Sequence, residues 1–157
     1  MPINCKILAM LVLALFLPGC MGFGLPRWKA GQYTLREIMR EYEKGTYKET
    51  FSSLRYEEKI NICVALFTRV HPPVLSIIEI FEGEDNDTAN RVMEEILEDI
   101  NNNDSYMTWM KILIWEVIVG ENREEYSFDR VKILNALMQH EQSGKGYWKD
   151  CIDNIRY

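Results

Sequence analysis

Histidine is almost missing from this chain, and most routes to enzymatic chemistry leave with it. His71 and His140 are the only two, and no cysteine pair has the spacing of a metal site. His71 precedes two prolines at a helix end, where an imidazole caps carbonyls or packs, and His140 lies near the end of a polar helix face. There is no Gly-x-Ser-x-Gly elbow and no glycine-rich loop to cradle a phosphate. A catalyst needs a nucleophile with its base, paired carboxylates in a cleft, a metal or a phosphate cradle. None is legible, so the expectation is a non-enzymatic protein with no catalytic residue, no metal and no cofactor. Positive charge is short as well: 18 Lys and Arg stand against 24 Asp and Glu, a net charge of −6. Such a surface repels phosphate at long range, which argues against nucleic acid and leaves a basic protein as a reasonable partner. Acidity that only aids solubility is the plainer reading of the same count. Strand-like alternation of useful length is absent, and so is any repeat period.

The acidic loop Glu84-Asp85-Asn86-Asp87 invites a calcium reading and fails it. With Asp85 in the first position of an EF-hand loop, Asp87 fits the third, but Ala89 replaces the fifth ligand. Asn90 stands where glycine is needed, and Ile96 takes the place of the bidentate Glu. A solvated loop with Asp87 capping the next helix is the better account. Glu94, Glu95, Glu98 and Asp99 likewise read as a solvated face.

What the chain does have begins at its first residues. Met-Pro-Ile-Asn-Cys-Lys carries one charge, Lys6, and an apolar run follows from Ile7 to Leu17. That run is too short to span a bilayer, which takes about twenty residues, and it suits the core of an export signal. Leu17-Pro18-Gly19-Cys20 comes next. This stretch resembles the lipobox of bacterial lipoproteins, in which a Leu and a small residue precede a Cys whose thiol takes a diacylglycerol before the bond ahead of it is cut and the new amine is acylated. Leu17, Gly19 and Cys20 match the pattern, while Pro18 departs from it. The resemblance implies a signal over 1–19, lipid on Cys20 and a tether over 20–32, leaving 33–157 as the domain. Met21 in place of Asp after the Cys implies sorting to the outer membrane, with the domain facing the periplasm. Two other readings stand beside this one. The uncharged stretch continues from Ile7 to Leu25 and could serve as an uncleaved anchor, although Pro18, Gly19, Gly22 and Gly24 make a poor helix of it. Ordinary secretion without an anchor is the other. Lys6 is the only charge before Cys20, so loss of the signal changes the net charge from −6 to −7.

With Cys5 in the signal and Cys20 acylated, Cys63 and Cys151 remain. In an oxidising periplasm a lone pair invites a disulfide, which would stabilise by about 4–5 kcal/mol in the chain-entropy picture. Two buried free thiols acting as small hydrophobes are the other reading.

The rest of the pattern is helical: an all-α domain of five to seven helices, as a compact bundle or a short stacked array. Thr34-Leu35-Arg36-Glu37 has capping-box form and begins a helix that stops near Gly45. A second helix is expected from Leu54 to Val70 on the stripe Tyr56, Ile60, Cys63, Phe67, Val70, and a third from Val74 to Phe81 after Pro72-Pro73. A fourth runs to Ile100. A fifth, capped by Asp104 or Ser105 and closed by Gly120, is apolar nearly all round and should be the most buried element. A sixth covers Ser127 to Glu141 and is expected to bury Val131, Leu134, Leu137 and Met138; Tyr147 to Ile155 forms a docking tail.

Aromatic residues gather near acidic ones at helix ends, an arrangement common at interfaces and equally at home in the packing of small domains. On the interface reading, Glu84, Asp85, Asp87, Tyr126 and Trp148 are candidate partner contacts. In size, anchoring and acidity the chain is similar to the small immunity lipoproteins that protect bacteria from envelope-targeting effectors of contact-dependent systems such as type VI secretion. That likeness implies a toxic protein partner, a phospholipase being the natural one at a membrane, and inhibition by occlusion. A structural or assembly lipoprotein of an envelope machine, or an entry-exclusion factor, would share every one of these features.

Overall fold

Thr34 ends a short hairpin and opens a helix at the same time. In the computed structural model, which describes residues 29–30, 32–67, 72–120, 122–142 and 148–156, β1 (Lys29–Ala30) pairs antiparallel with β2 (Tyr33–Thr34). The next helix, α1 (Leu35–Lys44), starts with the expected capping box. The Glu37 backbone N–H donates to Thr34 Oγ1 at 3.3 Å, and the Thr34 N–H donates to Glu37 Oε2 at 2.8 Å. Two orphan N–H groups are satisfied this way. At the other end Gly45 adopts φ 73°, a left-handed cap that glycine takes without steric cost.

The remaining helices are α2 (Tyr47–Phe51), α3 (Tyr56–Phe67), α4 (Asn86–Asn101), α5 (Ser105–Val119), α6 (Ser127–Glu141) and α7 (Trp148–Arg156), with a 3₁₀ helix at Pro72–Phe81. The all-α architecture read from the sequence is the one observed. Expectations that fall on Cys20, the tether up to Trp28, Val70, His71 and Tyr147 lie outside the described residues. None of the helices described is long and apolar enough to cross a membrane.

The segment expected as an α-helix from Val74 is instead a ten-residue 3₁₀ helix, long for a form that seldom runs past three or four residues. Its pattern accounts for this. Ser76, Glu79 and Glu82 recur every third residue, while Ile77, Ile78, Ile80 and Phe81 between them are buried. With three residues per turn the polar row stays in register along one edge, whereas an α-helix would rotate it into the core. That edge docks on α1 and α2. Lys48 Nζ lies 2.6 Å from Glu79 and 3.3 Å from Glu82, and the Tyr47 hydroxyl reaches Glu79 at 3.5 Å.

The centre of the molecule is α5, as its all-round apolar pattern required. Met110, Ile112, Ile114 and Trp115 have no exposure, and the helix packs on α4, α7 and the 3₁₀ helix. Asp104 caps it by accepting from the Met107 N–H at 3.0 Å. The preceding helix starts two residues earlier than expected: Asp85, not Asp87, is its N-cap, accepting from the Thr88 N–H at 2.8 Å. The expected disulfide is not there. Cys63 and Cys151 are free, buried thiols. Burial pushes the Cys63 thiol well above its ordinary pKa and the Cys151 thiol up to about 12. Each acts as a small hydrophobe in the core, and Cys151 Sγ donates to the Ser105 carbonyl at 3.5 Å.

Candidate protein-binding surface

The acidic loop turns out to be structural on two of its three carboxylates. Lys59 of α3 is 2 % exposed, with its ammonium ion-paired to Glu84 and 5.5 Å from the centroid of the Phe81 ring. A buried cation needs such a partner, because desolvating it alone costs several kcal/mol. Thr88 Oγ1 donates to the other oxygen of Glu84 at 3.3 Å. The backbone and side-chain donors of Thr88 hold the Asp85 carboxyl below its usual pKa. Asp87 alone is exposed without such an assignment, in the first turn of α4. Glu84 and Asp85 therefore share one loop, with Asp87 in the helical turn that follows, and that loop is a brace between α3 and α4.

Tyr126 and Trp148 correct the sequence reading more sharply. Tyr126 is buried, edge-on to Trp115 with ring centroids 5.9 Å apart, and Trp148 is buried with its ring 5.7 Å from that of His140. Both are interior packing residues, and neither presents itself to a partner.

The acidic face of α4 divides in two. Glu94 and Glu98 are exposed, whereas Glu95 and Asp99 turn onto Lys111 of α5. Lys111 Nζ lies 2.7 Å from Asp99 and 3.1 Å from Glu95. The Tyr56 hydroxyl donates to Glu95 at 2.8 Å, and Arg91 binds Glu95 and Glu57 at 3.2 and 3.0 Å with its guanidinium 4.2 Å from the Tyr56 ring centroid. Burial raises the Asp99 pKa against the pull of Lys111. At Lys111 burial opposes the charge, but the bonds to Asp99 and Glu95 outweigh it and the pKa is raised. This network ties α3, α4 and α5 together. On the far side, Arg130 of α6 reaches both oxygens of Glu116 at 2.6 and 3.0 Å and the Ile155 carbonyl at 3.0 Å, joining α5, α6 and α7. An open hollow of about 490 Å³ beside α1 is lined by Gln32, Tyr33, Glu37, Arg40, Glu41 and Thr50. Its carboxylates are already engaged, Glu37 in the capping box and Glu41 with Thr46.

With these groups spoken for, the surface feature that stands out is apolar. Phe128 is 78 % exposed, Val131 53 % and Met138 40 %. Their spacing of three and seven puts them on one face of α6. The opposite face of the same helix carries the fully buried Ile133 and Leu137. Val131 and Met138, expected in the core, are thus on the surface, and the core takes Ile133 instead. Sequence reasoning missed this because α6 has more apolar residues than one stripe can hold. That surplus was itself the signal available. Asn135, exposed between Val131 and Met138, and Lys132 at the border give the strip a polar rim. Exposed apolar side chains gathered on one helix face with a polar rim are a recurring feature of binding surfaces.

Among the described residues, no group of three or more His, Cys, Asp or Glu is placed to hold a metal ion. Comparison with protein-family models, curated proteins and solved structures gives no match to this chain.

Proposed function

We propose that this chain is a lipid-anchored binding protein of the bacterial envelope that protects its cell by occluding a toxic effector. The observation that carries the reading is the exposed strip Phe128, Val131 and Met138 on a helix whose other face is fully packed. Exposed hydrophobes on one face of a helix whose other face is packed support binding to another protein. The lipobox-like Leu17-Pro18-Gly19-Cys20 supports a place on the membrane. The net charge of −6 supports a basic partner, whose encounter it would accelerate. Stable interfaces bury about 1,600 Å² in total, so the strip is the apolar centre of a larger contact with a polar rim. An effector that attacks phospholipid at the same membrane is the natural target, and covering its active-site entrance requires no turnover.

The test uses a susceptible bacterium carrying the adjacent gene's product directed to the periplasm. The full chain should restore growth. Cys20→Ser should lose protection through loss of the anchor, and Phe128→Asp with Val131→Asp should lose it while the domain keeps its thermal midpoint. A harmless neighbour, or a full chain that gives no protection, would sink the immunity reading in favour of an assembly lipoprotein.

A further inference from the structure

Tyr106 and Trp109 form one wall of a small cavity that none of the contacts above fills. Ser105, Tyr106 and Trp109 of α5 and Asp150 of α7 line a hollow of about 180 Å³. Three residues apart on one helix, the two rings share a face, with centroids 6.5 Å apart. Phe67 of α3 stands edge-on to Trp109 at 5.3 Å. Asp150 follows its neighbour into the lining, since the buried Cys151 ties α7 to the Ser105 carbonyl at 3.5 Å. Tyr106 is 42 % exposed and Asp150 is exposed, so the site is reached from solvent.

Size and chemistry narrow the occupant. Pockets for drug-sized ligands enclose about 300–1,000 Å³, so a hollow of about 180 Å³ suits one side chain or one small head group. Aromatic faces attract cations brought within about 6 Å of the ring centroid. Asp150 adds a formal negative charge, and no basic residue is among those described as lining the hollow. A planar guanidinium suits such a wall better than an ammonium, because it stacks on the ring while its N–H groups reach the carboxylate.

We infer that this cavity receives an arginine side chain of the chain's protein partner, an inference that rests on the protein-binding reading above. The arginine lies against Tyr106 and Trp109 and pairs with Asp150, giving the partner a second, charge-specific anchor besides the apolar strip of α6.

The test titrates argininamide, citrullinamide and tetramethylammonium into the full chain in detergent micelles. The readout is the Trp109 indole N–H resonance, assigned with Trp109→Phe. Argininamide should shift it saturably and citrullinamide, its neutral counterpart, should not. Asp150→Asn should weaken argininamide about threefold and leave the other indole signals in place. An unsaturable or absent shift, an equal response to citrullinamide, or undiminished binding by Asp150→Asn overturns the inference. Tetramethylammonium binding more tightly than argininamide also overturns it, in favour of a lipid head group. These outcomes are separable from the function test: a chain that binds argininamide but protects no cell keeps the site and loses the immunity reading. One that protects the cell but ignores argininamide does the reverse.

Discussion

Lys111 is a lysine where the pattern of α5 calls for a hydrophobe. It lies between Met110 and Ile112, both fully buried, and is itself buried. The sequence offered half of the explanation: Glu95 and Asp99, four apart, lie on one face of α4. What it withheld was that this face meets α5, because acidic rows usually face water. Removing the cation leaves two carboxylates facing each other, so Lys111→Met should destabilise the fold by about 2 kcal/mol in urea unfolding. That is below the 3–5 kcal/mol of fully buried pairs, because Glu95 and Asp99 retain some contact with solvent. The pH dependence has a definite sign. Asp99 is already raised by burial, and losing Lys111 raises it further. A carboxyl that binds its proton more tightly folded than unfolded stabilises the fold as pH falls. The deficit of Lys111→Met relative to wild type should therefore shrink from neutral pH down through the carboxylate range. A deficit that stays constant would mean that packing, not charge, is what Lys111 contributes. In the wild type, the raised Lys111 pKa keeps its contribution intact below 10.5 and loses it above.

Elements differ in how plainly their sequences announce them. The capping box of α1 and the Asp104 cap of α5 were legible because a local rule decides each: a side chain and a backbone N–H three residues apart. The 3₁₀ helix was misread as α because its apolar residues fit either period over so short a run. The polar row Ser76, Glu79, Glu82 carries the difference. Helix α6 had the right ends but the wrong face, since which stripe is buried depends on where α4 and α7 lie, and that is tertiary information. Its two faces give a direct check. Ile133→Ala should cost about 3 kcal/mol, as deletions from a packed core do, and Val131→Ala less than about 0.5 kcal/mol. Comparable losses at the two positions would mean that the strip is covered within this chain. Cys63 and Cys151 belong to the same lesson: compartment and number suggested a bond, while burial seats each thiol separately.

At the scale of the whole molecule, the fold class was readable and the surface was not. Periodicity reports that a residue belongs to some apolar face, and the assembled helices alone determine which faces remain over. For that reason Tyr126 and Trp148 lie in the interior, while Val131 and Met138, expected in the core, lie on the surface with Phe128. One feature of the assembly bears on how it is made. The helices α4 and α5 are joined by three residues, Asn102 to Asp104, with Asn103 at φ 58°, whereas the Cys151–Ser105 contact that seats α7 spans 46 residues of chain. Loop-closure entropy favours the short connection, and local contacts form soonest. An α4–α5 hairpin is the expected folding nucleus, with α7 docking late. Native-state hydrogen exchange should find the slowest amides in α5 and faster ones in α7. The cavity between Tyr106 and Asp150 would then be assembled only once α7 has docked, so that a partly folded chain would lack it.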